Sequence, residues 1–314
     1  MLLFALKRLA SAIPTLFLVS VAVFALVRAV PGDPALIMLG DMATEASVAD
    51  LRAAMGLDQP LPVQFAIWLS KVFTGDLGTS IQINAPVLTL LFERFSVTAA
   101  VVVTAVLIAT LIAVPAGMLA AWRQNSSLDL GVVATATLLM SVPSFWMGLL
   151  LLLFLGLDLG WLPVVGYVPV ANDLKAGLIY LIMPVLTLVL VESGVLIRMA
   201  RAATLEVLRL DYVAHARAKG LPEPVVLARH VLPNAFAPTW TLIGLILGNL
   251  LGGIAVVETV FSLPGLGRLL VGAIFARDYP VIQGCMLFIT FVYVLVNLVV
   301  DLLYPLFDPR VVAE

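Results

Sequence analysis

The sequence predicts an all-α integral membrane protein with six transmembrane helices. Composition, six long apolar spans and the placement of basic residues predict it. Hydrophobic residues make up 62% of the 314 and charged residues only 11%, with a mean hydropathy of +1.15, which is the balance of a chain that crosses a membrane repeatedly. The apolar spans run Leu9 to Val27, Ser96 to Trp122, Leu128 to Leu155, Leu178 to Leu196, Thr239 to Val260 and Val281 to Leu306. Each is long enough, at about 1.5 Å per residue, to cross a bilayer core. With the amino terminus inside, Lys7, Arg8, Arg123, Arg198, Arg201, Arg209 and Arg310 fall on the cytoplasmic side, as the positive-inside rule asks. Both termini are then cytoplasmic. The formal net charge of -2 argues against a nucleic-acid partner.

The first span lies between Lys7-Arg8 and Arg28 and no small-residue cleavage site follows it, so it is expected to be retained. The long outer loop, Pro31 to Phe95, opens on the turn Pro31-Gly32-Asp33-Pro34. Ser47 to Asp50 has the spacing of a capping box for a helix ending at Gly56, and Val63 to Phe73 reads as an amphipathic helix carrying Trp68. Gly75 to Ser80 is a turn by composition. Between the third and fourth spans, Gly160 to Tyr167 is an aromatic turn with Trp161 suited to the membrane interface. Between the fifth and sixth lie Glu258 to Arg268, containing Pro264-Gly265-Leu266-Gly267, and Arg277-Asp278-Tyr279-Pro280. Organisation follows as residues 1–93 (first helix plus structured outer loop), 94–306 (five-helix core) and 307–314 (cytoplasmic tail).

Several chemistries are excluded. A phosphate-cradling P-loop needs Gly-Lys-Ser or Gly-Lys-Thr, and none of Lys7, Lys71, Lys175 and Lys219 follows a glycine. His215 and His230, the two histidines, lack the companions of a metal site, and both lie outside the apolar spans, where they cannot serve an intramembrane protease. Gly265-Leu266-Gly267 lacks the setting and third glycine of a dinucleotide fingerprint. Cys285, the single cysteine, sits in an apolar run and reads as an inert buried thiol. No catalytic, cofactor or metal residue is expected.

A polar island from Asp211 to Pro238 separates the fourth and fifth spans. It predicts a short helix, Tyr212 to Lys219, stopped by Gly220 and then by Pro222 and Pro224. Ala214-His215-Ala216, then Gly220, then Leu232-Pro233 resembles the cytoplasmic EAA loop of bacterial ABC importer permeases, with the Ala-Arg-Ala-Lys-Gly wording of the peptide and nickel branch. The family's glutamate is Ala214 here, a departure common in the peptide branch. Pro31 to Ala35, Gly75 to Ser80 with Pro86-Val87, Glu258 to Arg268, Arg277 to Pro280 and Asp301 to Arg310 extend the resemblance over nearly the whole chain. It implies a type I importer transmembrane domain in the bacterial cytoplasmic membrane, similar to dipeptide, oligopeptide, glutathione and nickel transporters. It also implies a second homologous permease, two ATPase subunits carrying ATP and Mg, and an external solute-binding protein. The loop of about 200–238 would be the coupling element, with Tyr212, Ala214, His215, Ala216, Arg217, Lys219, Gly220, Leu232 and Pro233 meeting the ATPase. Helical spacing puts Tyr212 and Ala216 on an apolar side, leaving Arg217 and Lys219 to offer charge. The same basic helix also suits a seat on anionic lipid.

Two acids are singled out. Glu192, in the last turns of the fourth span, either lines the translocation path or pairs with Arg198 or Arg201, since a carboxylate in a bilayer costs about 2.5–3.5 kcal/mol. Glu258, at the outer end of the fifth span, matches a family glutamate and is a candidate for the gate or for docking the binding protein, as are Pro264, Gly265, Gly267, Arg277 and Asp278. Two rivals stand beside the importer reading. An ion-coupled secondary transporter would have only Glu192 to work with, and a structural membrane anchor would enclose no polar path.

Overall fold

The computed structural model describes residues 2–29, 36, 44–54 and 56–307. The expected turn at Pro31-Gly32-Asp33-Pro34, and Arg310 with the tail beyond Phe307, lie outside them. Among the described residues the chain is helical: α1 (Leu2–Ala29), α2 (Glu45–Ala54), α3 (Leu61–Phe73), α4 (Val87–Trp122), α5 (Ser127–Ser141), α6 (Ser144–Leu151), α7 (Leu174–Leu208), α8 (Asp211–Ala218), α9 (Glu223–Val226), α10 (Leu232–Gly253), α11 (Ala255–Val260), α12 (Leu266–Ala276) and α13 (Tyr279–Leu303). Five helical runs are long and apolar enough to span a membrane, and a sixth is reached if α5 and α6, with its π-wound extension Leu152–Asp158, count as one.

That third span is the main departure from expectation. Instead of one straight helix from Leu128 to Leu155, the chain bends by 98° between α5 and α6. Pro143 accounts for it: proline disfavours helical geometry at the residue before it, and Val142 is extended at φ -92 and ψ 123. Helix ends were also underestimated. α4 begins at Val87, and α7 runs to Leu208. Glu93-Arg94 and the Arg198 to Leu208 end of α7 lie beyond the apolar spans yet remain helical, because charged side chains past the bilayer edge cost a helix little. At 36 and 35 residues, α4 and α7 each reach about 50 Å. They are the mast of the fold.

α4 and α7 approach closely because small residues line the contact. A Cβ at Gly117 would lie 2.6 Å from the Ile197 carbonyl oxygen, and one at Gly194 would lie 2.6 Å from that of Ala136, so α4 and α5 both press on α7. Around this contact a core of Val101, Ala105, Leu188, Leu196, Ile254 and Leu263 is buried. α10 runs back beside α13, where the Trp240 indole donates to the Val300 carbonyl (3.0 Å). α1 lies outside the core and is fixed at one end by Arg8–Asp301 (3.1 Å). Near its other end Phe24 meets Phe65 of α3 edge to face and lies tilted against Trp68. α2 is capped one turn earlier than expected: Thr44 and Ser47 exchange backbone-to-hydroxyl bonds of 2.9 and 3.1 Å, so the box is Thr44–Ser47 and not Ser47–Asp50.

Candidate functional site

The island becomes a compact knob at one end of the bundle. α7 ends at Leu208, Leu210 is extended, and α8 turns away for eight residues before Gly220 takes φ +78, a left-handed conformation natural to glycine. Pro224 and Pro233 sit in the first turns of α9 and α10, where a missing N–H costs nothing. They start helices rather than break them. Between α9 and α10 the backbone widens into a π-helical turn, Leu227–Val231. There the His230 carbonyl accepts from the Tyr212 hydroxyl (3.3 Å) and the Asn234 amide (3.0 Å), which ties α8 to α10.

The inner face of α8 is Val213 and Ala216, 0% and 5% exposed, packed on Val226, Val231 and the Ala203–Val207 end of α7, with Met118 and Trp122 of α4 behind them. Burying a valine contributes roughly 1.5–3 kcal/mol, so the knob is fixed to three helices. This revises the expected division of the helix: Ala216 faces inward and Tyr212 is exposed. Outward point Tyr212, Ala214, His215, Arg217, Lys219 and Gly220. Arg217 is braced by Glu223 (2.7 and 3.3 Å). Leu232 is half-buried and Pro233 exposed.

Glu192 pairs with neither expected arginine. Arg201 instead makes a two-pronged pair with Asp129 of α5 (2.6 and 2.7 Å), and the exposed Arg198 reaches only the Met140 sulfur at 3.9 Å. Asp129 is 4% exposed, accepts from the Asn125 N–H, and its own N–H is capped by Ser126 (3.3 Å). Sequence reasoning missed this latch, although Ser126-Ser127-Leu128-Asp129 before an apolar run carries the capping-box spacing. Glu192 itself, half-buried, has no hydrogen bond or ion pair among the described residues.

At the opposite end of the bundle the two turns, Glu258 to Arg268 and Arg277 to Pro280, are laced by buried acids. Glu258, 0% exposed, accepts from the Thr98 hydroxyl (2.6 Å) and the Arg268 N–H (2.8 Å), while the Leu266 N–H donates to the Thr98 oxygen (2.8 Å). Gly265 lies directly against the Glu258 carboxylate, leaving no room for a side chain. Asp278, 2% exposed, accepts from the Ser80 hydroxyl (2.6 Å) and the Gln82 N–H (3.2 Å) and caps α13 through Val281. Arg277 is left-handed at φ 54 and exposed. Pro264, Gly265 and Gly267 thus form one unit with Glu258 and Thr98, and Asp278 pins the loop before α4 to α13. Thr98 gave no sequence signal and Ser80 showed only as the end of a turn, and the partners of both were illegible because they are 160 and 198 residues away. Among the described residues no group of His, Cys, Asp and Glu could hold a metal, and Cys285 is buried.

Comparison with known proteins places these features in a lineage. Residues 113–313 match the family model described as binding-protein-dependent transport system inner membrane component, and residues 1–113 match its N-terminal counterpart. A putative peptide transport system permease protein of Brucella suis biovar 1 is 44% identical over 306 residues, covering 98% of each chain. The dipeptide transport system permease protein DppB of Alkalihalophilus pseudofirmus is 37% identical over 331 residues, and the glutathione transport system permease protein GsiC of Salmonella typhimurium is 42% identical over 312, each covering 99% of both chains. In fold, the chain is similar to an inward-facing structure of the MetNI methionine ABC transporter, with a TM-score of 0.57 at 18% identity, over 70% of this chain and 96% of that one.

Proposed function

The chain belongs to the family of binding-protein-dependent transport system inner membrane components, and from that premise we propose that it is the permease of an ATP-driven importer whose cargo is di- or oligopeptides. The observation that carries the coupling role is the knob: its inner face is locked to α4, α7 and α10, while its outer face presents His215, Arg217 and Lys219 to whatever docks there. An ATPase seated on that face would move three helices together. Lipid alone would not need so rigid a mount. Peptide cargo is supported by relatives named for peptide and dipeptide transport that match over the full length. A glutathione permease at similar identity favours a short γ-linked peptide as the second reading.

The proposed assembly is this chain, a second homologous permease, two ATPase subunits that hold ATP and Mg, and an extracytoplasmic solute-binding protein. It would sit in the bacterial cytoplasmic membrane with both termini inside. Arg8, Asp301 and Phe307 lie at the same end as the knob, Phe307 stacking on Phe236 and Trp240 of α10, which supports one sidedness for both ends. Purification of the tagged chain in mild detergent, followed by mass spectrometry, tests the proposal. A second permease and two ATPase polypeptides are expected, with the binding protein identifying the cargo. Recovery of the chain alone, transporting without ATP, would replace the importer with an ion-coupled carrier.

A further inference from the structure

At the end of the bundle away from the knob, a cleft of about 340 Å³ opens between the loop before α4, α4 itself, α12 and the start of α13. Two arginines line it, Arg94 and Arg268, together with Asp278. Arg94 is half-buried and Arg268 exposed; neither makes an ion pair among the described residues, although the Arg268 charge acts on the buried Glu258 carboxylate. The Arg94 Nε is buried with no hydrogen bond, and its Nη1 makes only a 3.5 Å approach to the Pro264 carbonyl. The acids nearby are already engaged: Asp278 by Ser80, Gln82 and Val281, and Glu258 by Thr98 and the Arg268 N–H. Gly272, also on the wall, leaves open space where a side chain would project.

A buried guanidinium N–H without an acceptor is costly, and an anion that completes it is bound by charge-assisted bonds. We propose that this cleft is a carboxylate-binding site with Arg94 and Arg268 as its donors. The inference rests on the importer reading, which makes this the extracytoplasmic end and supplies two sources of the same group. One is an acidic side chain of the solute-binding protein. The other is the free carboxylate of the peptide as it is handed over. The laced turns fix the backbone that carries Arg268, so a ligand has only the two side chains to order.

The test uses the complete importer in proteoliposomes with ATP inside and binding protein outside, comparing wild type with Arg268→Gln and Gly272→Leu. The first removes charge. The second fills the cleft at a position where a Cβ touches nothing within 4 Å, so the fold tolerates it. If a protein side chain enters, both variants raise the binding-protein concentration for half-maximal uptake on the order of tenfold, equally for a peptide acid and its amide. If the peptide carboxylate enters, the variants weaken uptake of the acid by a similar factor and leave the amide unchanged. Succinate binding to the purified chain, followed by saturation-transfer NMR and lost in Arg268→Gln, reads the site without transport. A wild type that binds succinate but fails to import would sink the importer and keep the site. Unshifted half-maximal concentrations in both variants, with no succinate signal, overturn the site itself.

Discussion

Glu192 is half-buried within α7 and lacks a partner among the described residues, while Arg201, one of the two arginines expected to pair with it, is held by Asp129. A carboxylate inside a bilayer costs about 2.5–3.5 kcal/mol, and no ion pair among the described residues offsets that cost. The cost is met by protonating the carboxyl, or by contact with water, with a charged solute or with the second permease, and contact with water or solute would put Glu192 on the translocation path. Glu192→Gln is then expected to lower uptake of peptides carrying an extra positive charge several-fold, to spare neutral ones, and to leave the thermal midpoint of the detergent-purified chain unchanged or slightly raised. Equal uptake of every peptide by variant and wild type takes Glu192 off the path. Residue-scale chemistry of this kind was only half legible in the sequence. The improbability of a lone acid in an apolar run was plain, but its freedom was not, because Arg201 found a partner 72 residues away.

Elements were legible where local rules govern them. α8 was readable to within a residue at each end, since Gly220 sets its stop and the φ of +78 there is what only glycine adopts cheaply. The break between α5 and α6 was written in Pro143, yet the apolar run across it hid the break from a hydropathy window. The stop at Gly220 carries a prediction. Moving an inward-to-outward equilibrium from 1:99 to 99:1 takes about 5.5 kcal/mol of differential binding, and a knob that yields cannot transmit it. A Cβ at Gly220 meets nothing, so Gly220→Val costs only backbone strain, about 1–2 kcal/mol, and should leave the chain folded and inserted. Its expected effect is on the angle at which α8 leaves the turn: ATP hydrolysis by the assembled importer persists while uptake per ATP falls. Coupled transport at the wild-type ratio would show that α8 is not the transmitting element.

At the scale of the whole molecule, the number of crossings follows from which helix ends meet. The end of α4 (Met118, Trp122) and the end of α7 (Ala203, Val207) share one cluster beneath the knob, and Gly117 of α4 lies on Ile197 and Ala200 of α7. The two long helices therefore run parallel. α7 starts at Leu174 and is about 50 Å long, so the chain between Arg123 and Asp173 has to return across the full depth before α7 can begin. α5 begins that return, with Asp129 level with Arg201 and Ala136 level with Gly194. α6 completes it by reaching Phe261 through Gly148. A re-entrant hairpin would bring the chain back to its starting side and is incompatible with parallel α4 and α7; the bent pair is one span, and the crossings are six. Cysteine labelling decides the point, and the native background is low because Cys285 is fully buried. Gln124→Cys and Trp161→Cys, both at exposed or half-exposed ends of the bent pair, should react with an impermeant maleimide from opposite faces of sealed vesicles, Gln124→Cys from the same face as Lys219→Cys. Labelling of positions 124 and 161 from one face would make the pair a re-entrant loop, leave five spans, and place the two ends of the chain on opposite sides of the membrane.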